Sequence, residues 1–153
     1  MILLAACLMG LVAGSRSMLA PALTSWFAWL GVLPVRGTPM AFMGSGYAVA
    51  ILSVAAVAEL VADKLPRTPS RKAPPGFGAR IVTGGLVGAT VGAAGHLMIA
   101  GLVLGVVGAV IGTLGGAAAR ARMAKAFGVD LPAAMLEDLV AILVGVFALL
   151  RLA

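Results

Sequence analysis

The side chains best suited to chemistry in this sequence are two pairs of acids, Glu59 with Asp63 and Glu137 with Asp138. Glu59 and Asp63 are four residues apart, which places both carboxylates on one face of a helix. Each pair lies within an apolar stretch, where desolvation makes an ionised carboxylate costly. The pairs therefore predict a site for a cation or a proton. The structural alternative is that the acids form salt bridges with Lys64, Arg80 or Arg120 and fix the register of the helices.

Arg16 is the one base inside an apolar stretch, and serines flank it on both sides. A buried guanidinium pairs with a carboxylate or binds an anionic substrate or head group. Helix rise places Arg16 within about 10 Å of the level of Glu59. We therefore expect Glu59 to be its partner ahead of Glu137, directly or through one water. The candidate binding residues are Arg16, Ser17, Glu59, Asp63, Glu137 and Asp138.

Residues for other kinds of site are sparse. His96 has no second His, Cys or acid near it in the sequence, so a solvated turn is its simpler interpretation. The sequence contains no Ser-His-Asp order, phosphate-binding loop or metalloprotease signature. Cys7 is the single cysteine, which excludes an internal disulfide and a multi-cysteine metal centre. We expect no catalytic residue, no cofactor and no metal.

The composition places these charges in a membrane. Hydrophobic residues make up 62% of the 153 residues and charged residues 10%, whereas about a quarter of a soluble domain is charged. The apolar runs are continuous and do not alternate, which favours helices over a barrel. The net charge of +6 comes from bases that flank apolar runs without interleaved aromatic residues, which favours contact with anionic lipid over binding of nucleic acid. Residues 1–153 are expected to form a single transmembrane domain.

About five membrane-spanning helices are predicted, and four are the alternative. The first must extend to about Ala20, because residues 2–13 alone reach only about 18 Å of a ~30 Å apolar core. Pro21 ends that helix, or else begins a short re-entrant segment that ends near Leu33. In the four-span alternative, residues 2–33 lie at the membrane surface. The other spans are residues 47–65, 79–95, 98–119 and 133–150, with a loop at 34–46 and Asp130 as the N-cap of the last helix.

Basic residues predict the orientation of these spans. Five spans place eight Lys and Arg residues on one side and three on the other. Because cytoplasmic loops are enriched in Lys and Arg, the N-terminus and the Lys64–Arg80 loop are expected in the cytoplasm, with the C-terminus outside.

Glycines recur at four-residue spacing in the third and fourth spans. Such faces let helix backbones approach closely in lipid, and they predict a tight hairpin with a glycine zipper. Packing within the chain and a homo-oligomer interface are the two interpretations. A Gly-xxx-Gly motif followed by an arginine and then a glutamate occurs near both ends of the chain, as an inverted repeat would produce. The expected packing residues are Gly84, Gly88, Gly92, Gly101, Gly105, Gly108, Gly112 and Gly116.

Four motifs combine these charged positions across nearly the whole chain. They are Gly14-Ser-Arg16-Ser17-Met18-x-x-Pro21, Glu59-x-x-x-Asp63-Lys64-x-Pro66-x-x-Pro69-x-Arg71, Arg80-x-x-x-Gly84 and Leu136-Glu137-Asp138. In these motifs the chain resembles the bacterial membrane family described as domain of unknown function 4126. The resemblance implies a small multi-span protein of the bacterial inner membrane, and it implies no particular activity.

Two functional hypotheses follow. The first is a transporter or channel for an ion or small solute, with Arg16, Glu59, Asp63 and Glu137 along its route. The alternative is a non-transporting scaffold or assembly protein, in which charges and glycine faces are structural. A lipid-modifying enzyme is a third hypothesis, for which only His96 or the acids are available. The expected partners are the lipid bilayer and a second copy of the chain.

Overall fold

The computed structural model describes residues 1–64 and 74–152, and the regular secondary structure of these residues consists of helices, without a strand. The all-α prediction is confirmed for these residues. A short 3-10 helix at Ala41–Gly44 interrupts the predicted loop before the third helix. The α-helices of the described ranges are α1 (Ile2–Ser15), α2 (Leu19–Trp29), α3 (Gly46–Ala62), α4 (Pro74–Ala93), α5 (Met98–Phe127) and α6 (Asp130–Leu150).

Two helices of the described residues, α5 and α6, are long and apolar enough to cross a membrane. They have 30 and 21 residues, and their 18-residue windows reach mean hydropathies of 2.2 and 2.3. Helices α1 and α3 are apolar but shorter, with 14 and 17 residues, so that α1 is only about 21 Å long. The two long helices, α5 and α6, indicate a membrane protein. The predicted count of five spans is not confirmed by the helix lengths.

Helix α1 lies at the centre of the bundle, in contact with α2, α4, α5 and α6. Its small residues let the α5 backbone approach. A Cβ atom added to Gly10 would lie 2.9 Å from Cα of Gly105, and one added to Gly14 would lie 2.6 Å from the backbone nitrogen of Thr113. Because real Cβ atoms do not come so close to backbone, glycine sets the distance between these helices.

Helices α4 and α5 form an antiparallel hairpin whose turn contains His96, with a left-handed φ of 59°. Gly88 of α4 faces α5, and an added Cβ there would lie 2.7 Å from Cα of Gly105. Gly84 and Gly92 meet the same helix one turn to either side. Gly84, Gly88 and Gly92 therefore pack within the chain, against α5.

The glycines of α5 face more than one neighbour. Gly101 and Gly105 face α4, whereas an added Cβ at Gly108 would lie 2.9 Å from the backbone nitrogen of Leu11 in α1. Gly112 also meets α1 at Leu11. Gly116 is half-buried, at the level where α1 ends.

The first helix ends at Ser15, with Arg16 as its C-cap. One prediction was that this helix continues to about Ala20. Arg16 caps α1 with extended backbone angles, φ −136° and ψ 100°, and α2 begins at Leu19. Pro21 lies in the first turn of α2, where a missing N–H removes no intrahelical hydrogen bond. The continuous helix is wrong, and the alternative of a short separate segment describes α2 better, although that helix begins two residues before Pro21.

The break reverses the direction of the chain. Met1 lines a small cavity together with Arg151, while Arg16, at the other end of α1, contacts Asp138 near the start of α6. Lys64 contacts Asp138 as well. The N-terminus therefore lies at the opposite end of the bundle from Lys64. This arrangement does not support the prediction that the N-terminus and the Lys64–Arg80 segment share one side, because α2 carries the chain back before α3 begins.

Several helix ends differ from the predicted ones. Helix α4 begins five residues before Ala79, and α5 continues eight residues beyond Ala119. The N-cap of α6 is Val129 and not Asp130, which is the first helical residue. The predicted end of α3 and part of the basic loop lie outside the described residues, namely Leu65, Pro66, Arg67, Arg71 and Lys72.

Candidate functional site

Charged side chains meet at the end of the bundle where α1, α3 and α5 end and α6 begins. Within the described residues the four acids among them each contact at least one of the three bases. The candidate residues Arg16, Asp63, Glu137 and Asp138 are thereby brought together. We call this group the ionic cluster, and its members are Arg16, Asp63, Lys64, Arg120, Asp130, Glu137 and Asp138.

Arg16 is the centre of the cluster and is fully buried, with 0% of its surface exposed. Its Nη1 lies 2.5 Å from Oδ2 of Asp63, and its Nη2 lies 2.5 Å from Oδ1 of Asp138 and 3.6 Å from Oε2 of Glu137. One planar guanidinium thus joins the end of α1 to both α3 and α6, a geometry that a lysine ammonium does not match. Its Nε is buried and has no hydrogen-bond partner among the described residues.

Arg120 and Lys64 extend the cluster toward its exposed side. Arg120 contacts Asp63, and its Nη2 lies 2.5 Å from Oδ2 of Asp130. Nζ of Lys64 lies 2.7 Å from Oδ2 of Asp138. Asp63 is therefore shared by two arginines, and Asp138 by an arginine and a lysine. Because each of these carboxylates has two cationic partners, one partner can leave without stranding the carboxylate.

Glu59 lies beside the cluster and does not pair with Arg16. Its Oε1 accepts hydrogen bonds from the backbone N–H (2.8 Å) and hydroxyl (2.6 Å) of Ser17, and its Oε2 accepts one from the N–H of Met18 (2.8 Å). These N–H groups begin α2, and the positive end of a helix dipole favours a negative charge. Arg16 meets carboxylates, as predicted, but they are Asp63 and Asp138, and no direct ion pair joins Arg16 to Glu59. The break between α1 and α2 turns the guanidinium toward Asp63, one turn further along α3, and leaves Glu59 facing the N–H groups at the start of α2.

Replacement of Glu59 by glutamine is expected to lower the free energy of unfolding by about 1–3 kcal/mol. An amide accepts hydrogen bonds at only one of its two ends, so an N–H of Ser17 or Met18 loses its acceptor. Thermal unfolding in detergent, followed by circular dichroism, measures the change. Ser53→Ala removes an exposed hydrogen bond from Trp26 and is the control, with a small expected effect. Unchanged melting of Glu59→Gln would mean that this carboxylate does not hold the start of α2.

A groove of about 440 Å³ runs between α1, α5 and α6 and ends at the cluster. Its lining is apolar except for Ser15 and Glu137 at the cluster end. This groove was not predicted from the sequence. Small residues on α5 were a signal, but their spacing was interpreted as packing, and Gly116 lines the groove. An added Cβ at Gly115 would meet nothing within 4 Å, which shows that this face of α5 is open.

Some members of the cluster follow from the structural alternative given in the sequence analysis. Lys64 and Arg120 are salt-bridge partners of the acids, as that alternative predicts. Asp130 was missed because it was assigned a capping role. Nη1 of Arg80 donates to the carbonyl of Gly76 (3.0 Å), one turn earlier on α4.

Among residues 1–64 and 74–152, no group of three or more His, Cys, Asp or Glu side chains is arranged to hold a metal ion. The resemblance to the family described as domain of unknown function 4126 stays a prediction. Comparison with models of protein families, with curated proteins and with solved structures finds no match to this chain.

Proposed function

We propose that this chain is a small multi-span transporter of the bacterial inner membrane, which moves an ion or a small solute past the ionic cluster. The observation that carries the proposal is Arg16, fully buried at a helix break and bound to carboxylates from two other helices. Ionisable residues inside membranes are costly and mark substrate or ion pathways. Broken helices place such groups at the binding sites of transporters.

The shared carboxylates suggest how the cluster would change state. Asp138 binds both Arg16 and Lys64, and neutralising it with a proton or a bound cation removes one of the two close contacts of the guanidinium. Arg16 would keep its contact with Asp63, so α1 stays attached to α3, while its hold on α6 is reduced to the longer contact with Glu137. A ligand that binds one arrangement better shifts the population toward it. The cluster would thereby couple occupancy of an acid to movement of α6.

The placement in the membrane belongs to the same proposal. Basic residues at the cluster end, among them Lys64 and Lys125, would face the cytoplasm. Both termini would then lie outside. With both termini on one side the number of crossings is even: four if α1 and α2 form one re-entrant pair, and six if each of them crosses. The inverted repeat remains part of the proposal.

Proteoliposomes that contain an entrapped pH-sensitive dye test the transporter with the proton as the probe. Under an imposed potassium diffusion potential, the wild-type chain is expected to carry a proton flux above that of protein-free vesicles. Asp138→Asn is expected to slow this flux at least about tenfold, since the amide cannot take up a proton. Arg36→Gln, an exposed position outside the cluster, is the control. A flux that is equal in Asp138→Asn and wild type would remove the cluster from the route.

The scaffold remains the second candidate, because each acid of the cluster already contacts a base in the described residues. A permanent lock between helices would have this arrangement too. Radioactive sodium and rubidium, added as further probes to the same vesicles, separate the two candidates. Absence of flux for the proton and both ions, together with a large loss of thermal stability in Asp138→Asn, would favour the scaffold.

A further inference from the structure

The groove between α1, α5 and α6 is narrow and apolar. Its walls include Leu8, Leu11, Ile111, Leu136 and Val140. Two of the three walls, α5 and α6, are the helices long and apolar enough to cross a membrane. In the proposed membrane setting the gap between them opens sideways to lipid. A cavity of 440 Å³ lies in the size range of ligand-binding clefts.

The volume of the groove favours a lipid acyl chain over a helix from a second copy of the protein as its occupant. An α-helix is about 10 Å across, so about one helical turn would fill the whole volume. A second copy of the chain could therefore place only about one helical turn inside the groove. A single acyl chain is thin enough to extend from the level of Leu8 to the cluster end.

The charges at the mouth of the groove select the head group. Arg122 is seven residues after Gly115, which places both on the same face of α5, and it is exposed. Lys125 lies one turn further and is exposed as well. Neither base has an ion-pair partner among the described residues. Glu137, the acid in the lining, lies 3.6 Å from both Arg16 and Arg120, so its charge is already compensated.

We propose that this groove binds an acyl chain of an anionic phospholipid, whose phosphate lies against Arg122 and Lys125. The proposal rests on α5 and α6 lying in a membrane and not on transport, so its test measures lipid binding and needs no flux. Each basic side chain near an anionic lipid surface contributes about 1 kcal/mol, which is about a fivefold change in affinity.

Native mass spectrometry of the full chain in detergent, titrated with dioleoylphosphatidylglycerol or dioleoylphosphatidylcholine, tests the head-group preference. The wild-type chain is expected to bind the anionic lipid about 25-fold more tightly, fivefold for each base. The double variant Arg122→Gln, Lys125→Gln is expected to bind both lipids with similar affinity. Equal affinity of the wild-type chain for the two lipids would overturn the proposal.

A second pair of variants tests the groove itself. Gly115→Leu fills the groove from a position where an added Cβ meets no atom within 4 Å, so the fold is expected to tolerate it. Gly78→Leu is the matched control, a helical glycine with equally open space that does not line the groove. Loss of the tight lipid in Gly115→Leu and its retention in Gly78→Leu would support the site. Retention in both would show that lipid binds to the general surface, and the proposal would fail.

Discussion

Replacement of Arg16 by methionine is expected to destabilise the folded chain by about 3–5 kcal/mol, one of the two largest effects of any single substitution. The methionine removes the cation between Asp63 and Asp138, both of which lie 2.5 Å from the guanidinium. Asp138 remains buried and Asp63 half-buried, each with one cationic partner fewer to offset its desolvation. Chemical unfolding in detergent micelles, followed by circular dichroism, measures the loss.

Companion variants separate the ion pairs from the packing of the side chain. Arg16→Met combined with Asp63→Asn and Asp138→Asn is expected to regain part of the loss, because the cluster then keeps two bases and two acids and carries no excess negative charge. Arg16→Lys is expected to restore little of the stability, since an ammonium lacks the fork that reaches two carboxylates. Arg36→Gln, at an exposed site, should melt like the wild type. Wild-type stability of Arg16→Met would show that the guanidinium does not hold the three helices together.

Replacement of Gly88 by leucine is expected to cost at least about 3 kcal/mol. Already the first atom of the new side chain would lie 2.7 Å from Cα of Gly105. The neighbour is backbone and not the flexible end of a side chain, so the whole of α5 must move away. The same holds for Gly108→Leu against α1, where the atom would lie 2.9 Å from the nitrogen of Leu11. Thermal unfolding of the purified variants in detergent measures both losses.

The matched control for these variants is Gly115→Leu, which makes the same chemical change on the same helix as Gly108. It has no atom within 4 Å of the added Cβ, so its melting temperature is expected to stay near that of the wild type. If Gly88→Leu and Gly115→Leu melted alike, the close approach of α4 to α5 would not limit stability.

Except for Asp130, the acids of the site could be predicted from sequence because a charge within an apolar run is conspicuous and helix rise fixes its depth. Which of these acids pairs with Arg16 could not be predicted. Glu59 and Asp63 differ by one helical turn, and a break of three residues after Ser15 decides which of them meets Arg16. Pro21 marks the region of the break, but proline fits both the end of one helix and the first turn of the next.

Glycine spacing predicts a face of a helix but not the neighbour on that face. Gly88 and Gly108 were expected to pack closely, and their added Cβ atoms would meet backbone. Gly116 continues the same four-residue spacing and lines a groove instead. The difference arises because α1 ends at Ser15 and offers no further backbone to pack against. The glycine periodicity of α5 does not indicate where the neighbouring helix α1 ends.

The central position of α1 has a consequence for biosynthesis. The hydroxyl of Thr113 donates to the carbonyl of Gly14 (3.1 Å) across 99 positions of sequence. Arg16 and its partner Asp138 are separated by still more residues. Helix α1 leaves the ribosome before α5 and α6, so it meets these neighbours only after they have been made. During synthesis its glycine face is uncovered and its arginine lacks Asp63 and Asp138. Contacts so distant in sequence slow folding and lengthen the exposure of partly folded chains. Helix α1, at the centre of the bundle, is therefore the helix that a chaperone would need to protect during synthesis.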